Sequence, residues 1–172
     1  MPASGEDVPT LTLLMHDVID GRFVYDKESE GFPYGHAHYP SSTIRSVLNT
    51  DILNGFSEAD RAAMLEVEKT TYTVDSEGSK PETTADKLFL LSCTEVGFPA
   101  GDYVRFEGAA YPFFTDDESR EKRDVTGSPR YWWLRSPNPG VAHSARLVDT
   151  TGARNNSGAY LGIGAAAACV IG

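Results

Sequence analysis

The chain's two tryptophans stand side by side in Tyr131-Trp132-Trp133-Leu134-Arg135-Ser136-Pro137. In an extended strand neighbouring side chains leave on opposite faces, so Trp132 and Leu134 take one side while Trp133 and Arg135 take the other. A fold built on this strand therefore needs a covering layer on both faces, or one face left open as a platform. Aromatic rings carry the largest apolar area that a core can bury, which favours both indoles as core. The sharper reading keeps Trp133 or Arg135 beside a binding surface.

A chain of 172 residues has the length of one domain that buries roughly two-thirds of its unfolded surface. We read one domain over 1–172, with an N-terminal hairpin over 11–25, helices over about 42–66, and a sheet and loop core over 67–172. Gly 16 and Pro 10, with many Ser, Thr and Asn, argue for a loop-rich fold without long helices. A net charge of −10 opposes a role on nucleic acid or on anionic lipid, and predicts partners that are neutral, cationic or proteinaceous. No apolar run approaches bilayer length, and the opening residues lack the basic and apolar regions of a signal peptide, so a soluble chain is expected. Cys93 and Cys169 lie in separate apolar segments and read as free thiols that pack as small hydrophobes.

Along the chain, Leu11–Met15 and Arg22–Tyr25 read as a strand pair around Asp20-Gly21. Ser41 or Ser42 caps a short helix carrying Ile44, Val47 and Leu48, which ends near Asn49. A second helix opens at Ser57, with Ala62, Ala63, Met64 and Leu65 inward and Phe56 as a staple. Residues 68–74 form a strand, 75–86 an exposed loop, and Lys87–Leu91 a central strand. Residues 98–130 are long and irregular. The C-terminal part holds a strand at 131–135, a hairpin of Ala145–Val148 with Ala153–Arg154, and a last strand near 167–171.

The chemistry-bearing motifs are sparse. His36-Ala37-His38 sets two imidazoles on one side of an extended segment, but no Cys or acidic partner stands at a ligand interval, so no metal is expected. Asp116-Asp117-Glu118 and Asp75-Ser76-Glu77-Gly78 offer oxygens without the spacing of a calcium loop. Gly162-Ile163-Gly164 mimics a dinucleotide fingerprint but leaves no room for the helix that would hold the phosphates. His16 and His143 have no marked serine nucleophile beside them. The expectation is a non-enzyme without cofactors.

Four blocks appear in an order that resembles a bacterial and phage domain family of unknown function. They are Ile44-Arg45-Ser46-Val47-Leu48-Asn49 with Leu53-Asn54-Gly55-Phe56-Ser57, then Asp86–Ser92, then Trp132–Pro137, then Gly164–Ile171. The likeness covers roughly 42–171, and departs from the pattern where Ala166 and Ala167 replace the family's Arg and Pro. That family looks similar to the C-type-lectin-like superfamily, which includes formylglycine-generating-enzyme-like domains and retroelement-diversified variable proteins. The resemblance implies an α+β, C-type-lectin-like fold, with short helices packed on a small, mostly antiparallel sheet. Formylglycine-generating relatives use two cysteines close together near the C-terminal end, a pattern that Cys93 and Cys169 do not match.

The resemblance implies recognition through the segment after the Trp-rich strand, here 138–162. Its candidate ligand-binding residues are His143, Arg146, Arg154, Asn155, Asn156 and Tyr160, with Trp133 as platform. Tyr, Arg, Asn and Ser among glycines combine amphipathic area with hydrogen bonding, as adaptable binding surfaces do, although Arg154–Gly158 also reads as a plain polar turn. The expected function is a non-catalytic binding or display module, such as a phage virion decoration or fibre component or a surface-exposed ligand-binding protein. Its partner would be a protein or glycan receptor, or other virion or surface subunits, with a homo-oligomer as one form and neither nucleic acid nor membrane insertion. The alternative is a structural subunit that packs through the aromatic loop 98–114, and the remaining one is an enzyme of the formylglycine-generating type.

Overall fold

The computed structural model describes residues 9–75 and 78–172; the side chains at 75–78, among them one of the acidic calcium candidates, lie outside the described residues. In chain order the elements are β1 (Leu11–Leu14), β2 (Phe23–Val24), α1 (Thr43–Val47) running into a π-turn at Leu48–Ile52, α2 (Glu58–Ala63) and β3 (Met64–Leu65). There follow β4 (Val67–Asp75), β5 (Gly78–Asp86), β6 (Lys122–Arg123), β7 (Pro129–Arg130), β8 (Trp132–Pro137), β9 (Ser144–Val148), β10 (Arg154–Gly158), β11 (Gly162–Ile163) and β12 (Ala168–Ile171). They pair into small sheets of order β1-β12-β3, β10-β9-β8, β11-β2, β4-β5 and β6-β7, with every strand pair antiparallel.

Three fully buried extended segments form the middle of the molecule, and each alternates its side chains between two cores. Leu88, Leu90, Trp133, Ala165, Ala167 and Cys169 face one core with Tyr25, Tyr39, Ile44 and Leu48. Phe89, Leu91, Trp132, Leu134, Ala166, Ala168 and Val170 face the other with Val96, Val104 and Phe114. The period of two is the strand period. Backbone bonds join the segments: Phe89 and Ala168 exchange N–H···O contacts of 3.0 and 2.8 Å, Trp133 N donates to Gly164 O at 3.0 Å, and Arg135 N donates to Leu91 O at 2.9 Å. Alanine at 165–168 leaves volume for the two indoles to fill. Gly164 permits the closest approach, since a Cβ there would sit 2.5 Å from Tyr131 O. Both indole N–H groups are satisfied, Trp132 by Arg120 O at 3.0 Å and Trp133 by Phe23 O at 2.8 Å.

Several expectations are corrected. The fold is a set of small antiparallel sheets around this layer, and not an α+β, C-type-lectin-like arrangement of helices packed on a sheet. The α-helices span five and six residues, and α2 buries none of its own. Both helices do start where expected, with the Ser42 and Ser57 hydroxyls accepting from Arg45 N at 3.3 Å and Asp60 N at 3.1 Å. Ala62, Ala63 and Leu65 are exposed, and of the four residues read as inward only Met64 is buried.

The N-terminal segments do not form a hairpin: β1 pairs with β12 in the register Leu11↔Ile171 to Leu14↔Ala168, and β2 pairs with β11. The eight residues between β1 and β2 exceed a tight turn. They are held instead by Lys122 Nζ, which donates to Met15 O and His16 O at 2.5 and 3.0 Å. The expected loop 75–86 is largely strand β5, where Pro81 opposite Tyr72 is tolerated because a two-stranded ribbon has a free edge for the missing N–H. Leu88–Leu91 is buried and central as expected, with Lys87 half-buried, but only the Phe89↔Ala168 bridge pairs the segment as a strand does.

Candidate functional site

The β9–β10 hairpin carries the candidate surface, and its turn is built to one shape. Asp149 Oδ1 accepts from Thr151 N at 2.9 Å, Thr151 Oγ1 at 2.8 Å and Ala153 N at 3.1 Å. Burial pushes the Asp149 carboxyl up, but these donors outweigh it and hold the carboxyl below its ordinary value. Gly152 sits at φ +79 with Asp117 O where a Cβ would stand, only 1.8 Å away, so no other residue fits.

In β10 the residues Arg154, Asn156 and Gly158 share a face with Val148, Arg146 and Ser144 of β9, while Asn155 and Ser157 share the opposite face with Leu147 and Ala145. Beyond Gly158 the first face opens into a groove of about 460 Å³ whose polar and aromatic lining is Tyr34, Asn138, His143, Ser144, Asn156 and Tyr160. The Tyr34 ring lies 5.7 Å from His143 and 5.7 Å from Tyr160, so three exposed rings converge. Tyr34 reaches this place because its loop is pinned to the hairpin: Tyr160 N donates to Tyr34 O at 3.2 Å and Ala37 N to Ala142 O at 2.7 Å.

The structure thus brings His143, Asn156 and Tyr160 together and sets Arg154 on the same face. Asn155 lines a different cleft of about 470 Å³, with Arg22, Arg130, Tyr131 and Ser157. There Asp124 takes Arg130 Nε at 2.6 Å together with Thr126 and Ser128 donors, so that cation is already neutralised. Arg146 is buried behind the groove, donating to Asn156 Oδ1 at 3.3 Å and Tyr103 O at 2.8 Å. Trp133, expected as a platform, is corrected: both indoles are 0% exposed. The reason is that the extended layer is covered on both faces. Tyr34, Asn138 and Ser144 join the groove beyond the residues expected from sequence; Tyr34 comes from a polar loop over a hundred residues away, and no local signal points to it.

Behind the hairpin lies a sealed polar network around Arg135. Arg135 donates to Leu90 O at 3.0 Å and Glu107 O at 2.6 Å and pairs with Glu95, whose other oxygen meets Lys69 Nζ at 3.0 Å. Ser136 Oγ bonds Glu107 Oε2 and accepts from Cys93 N at 2.8 Å, and Glu107 Oε1 accepts from Tyr72 N at 2.7 Å. Burial pushes both carboxyls up. For Glu95 the charge and hydrogen bond of Arg135, with Lys69, win and hold it below the ordinary value. For Glu107 burial wins and its carboxyl is raised. Glu107 therefore binds a proton more readily folded than unfolded, and its contribution is present at low pH and lost as pH rises through the folded value. Glu107→Gln is expected to abolish that fall in stability above the ordinary carboxyl range, as urea unfolding at pH 5, 6 and 7 would read.

Glu95, Glu107, Arg135 and Ser136 are all buried, so the network positions the loops. Both cysteines are free and sit in different cores, and burial pushes the Cys93 thiol up to about 12, far from a thiolate nucleophile. His36 and His38 stack at 5.5 Å, but their nitrogens meet Val74 O at 3.1 Å, Ser41 Oγ at 2.7 Å and Glu82 at 3.2 Å. Among the described residues no group of three or more His, Cys, Asp or Glu could hold a metal. Asp116 is occupied by Ser119, and Asp117 by Arg120. Gly162-Ile163 is strand β11, with no phosphate-binding helix after it. Among the described residues no helix is long and apolar enough to cross a membrane.

No curated protein and no solved structure matches the chain, so the C-type-lectin-like superfamily and a phage origin find no support in these comparisons. A family model does match residues 10–171, nearly the whole chain and wider than the 42–171 expected from the motif blocks. The protein belongs to that family, described as a domain of unknown function, DUF6273.

Proposed function

We propose that this protein is a non-catalytic binding or display module that holds its partner against the groove of Tyr34, His143, Asn156 and Tyr160. The observation that carries this reading is the convergence of three exposed rings on a polar strand face, ring centres 5.7 Å apart, over a hairpin whose turn and backing are rigid. Rigid amphipathic rings supply contact area at low entropic cost, and the neighbouring amides and hydroxyl supply directional bonds. A place on a virion or a cell surface, with a protein or glycan receptor as partner, suits such a module. The buried, strongly protonated Cys93 thiol gives no support to chemistry of the formylglycine-generating type.

The test is binding of the labelled full chain to a glycan array and to bacterial cells, with Tyr34, His143 and Tyr160 replaced together by alanine. The expected result is loss of binding with a stability change within roughly 0.5 kcal/mol per surface site. A second reading rests on Tyr103, Phe106 and Phe113, each 67–70% exposed on the long loop. Apolar exposure of this kind marks interfaces. Absence of binding, together with a discrete oligomer that Phe106→Ser and Phe113→Ser dissolve in light scattering, would replace the groove reading by structural assembly.

A further inference from the structure

The sheet face that carries the groove also carries two cations that meet no counter-ion among the described residues. Three arginines are buried among the described residues, and Arg120 and Arg135 each meet a carboxylate. Arg146, 6% exposed, does not: its bonds go to the Asn156 amide oxygen at 3.3 Å and the Tyr103 carbonyl at 2.8 Å, and its Nε is buried with no partner. Arg154 stands diagonally across the β9–β10 register on the same face, and its exposed side chain makes no hydrogen bond or ion pair among the described residues. Burial first, and the like charge of Arg154 with it, work against the charged form of Arg146. An uncompensated buried charge is costly, and an arriving anion relieves that cost. In a chain of net charge −10, this face is a local exception to the surface at large.

The cationic patch and the groove are continuous through Asn156, which bonds Arg146 and, through Nδ2, Ser144 Oγ at 3.3 Å on the groove floor. Residues two apart on a strand face lie about 6.7 Å from one another, so Arg154 stands about 13 Å from Gly158 at the groove. That is the reach of a short oligosaccharide. An extended acidic peptide suits the surface less well, because the main-chain ladder it would add to the β10 edge is blocked. Asn156 N–H is taken by Asn155 Oδ1 at 2.8 Å and Gly158 O by Leu161 N at 3.0 Å. Flat tyrosine faces flanked by amides and a hydroxyl match the apolar face and the hydroxyls of a sugar ring.

We propose that the groove takes an acidic saccharide, its ring against Tyr34 and Tyr160 and its carboxylate on the Arg154 guanidinium in the positive field of Arg146. The proposal rests on the groove being the binding surface. It is tested by NMR titration of the full chain with digalacturonate and sialyllactose, with digalactose and lactose as neutral counterparts and hexaglutamate as the peptide probe. The acidic sugars are expected to shift His143, Arg154 and Tyr160 saturably, with a Kd at least tenfold below that of the neutral ones. Arg154→Gln is expected to erase that preference while leaving the melting temperature unchanged. Equal affinity for acidic and neutral sugars, insensitive to Arg154→Gln, would overturn the charge inference and leave the groove reading standing. Hexaglutamate binding as tightly as the acidic sugars would replace the saccharide by a peptide. Silence from every probe would overturn the proposal, and the groove reading would then stand or fall on the alanine triple variant alone.

Discussion

Arg135→Leu is expected to lower stability by about 3–5 kcal/mol, the usual loss when one partner of a buried ion pair is removed. Domains of this size are stable by about 5–15 kcal/mol, so the variant would be largely unfolded at elevated temperature. The cause is topological as well as electrostatic. One guanidinium ties the carbonyls of Leu90 and Glu107 and the carboxylate of Glu95, so it fastens the segment after β5 and the long loop 98–114 to β8. Its loss strands Glu95 in the interior with Lys69 as the remaining cation. Glu95→Gln is expected to move in the same direction by less, since an amide keeps part of the bonding without a buried charge. Chemical denaturation of the two variants side by side checks both. Native-like stability of Arg135→Leu would mean that apolar packing, and not the ion pair, holds the loop in place.

Trp133→Ala carries the second large effect, about 3–5 kcal/mol from lost transfer energy and the cavity left behind. The indole is 0% exposed, packs edge-on against Tyr25 at 5.6 Å, and satisfies Phe23 O. Removing it takes a donor from that carbonyl and opens the core beneath the very hairpin that carries the groove. The measurement is urea unfolding together with the binding assay. Binding should fall only in proportion to the folded fraction, whereas a stable protein that no longer binds would restore Trp133 as a platform.

The polar residues of the groove were partly legible because they lie on one hairpin. His143, Asn156 and Tyr160 are close in sequence, and the β9–β10 pairing keeps them close in space. Asn155 is their neighbour in sequence, yet strand alternation sends it to the other face, a distinction that the sequence period alone supports once the strand is extended to Gly158. Arg146 has the same side-chain chemistry as Arg154, yet one is buried and the other exposed, because loop 98–114 covers the β9 side of the face and bonds Arg146 through Tyr103 O. That cover comes from 43 residues away and leaves no local trace.

By itself the sequence determined what depends on neighbours along the chain: the serine caps of the two short helices, the alternation of Trp132, Trp133 and Leu134, the β9–β10 hairpin and the last strand. Local hydrogen bonding and side-chain period carry these, and both act over a few residues. Only the tertiary structure decided which strands pair and which faces close. Leu11–Leu14 found Ala168–Ile171 instead of the nearby Phe23–Val24, and a second covering layer turned Trp133 from a platform into core. A loop from residue 34 completed a groove on residues 138–160. Strand partners and burial are chosen by area removed from water summed over the whole chain, a quantity that no single segment contains.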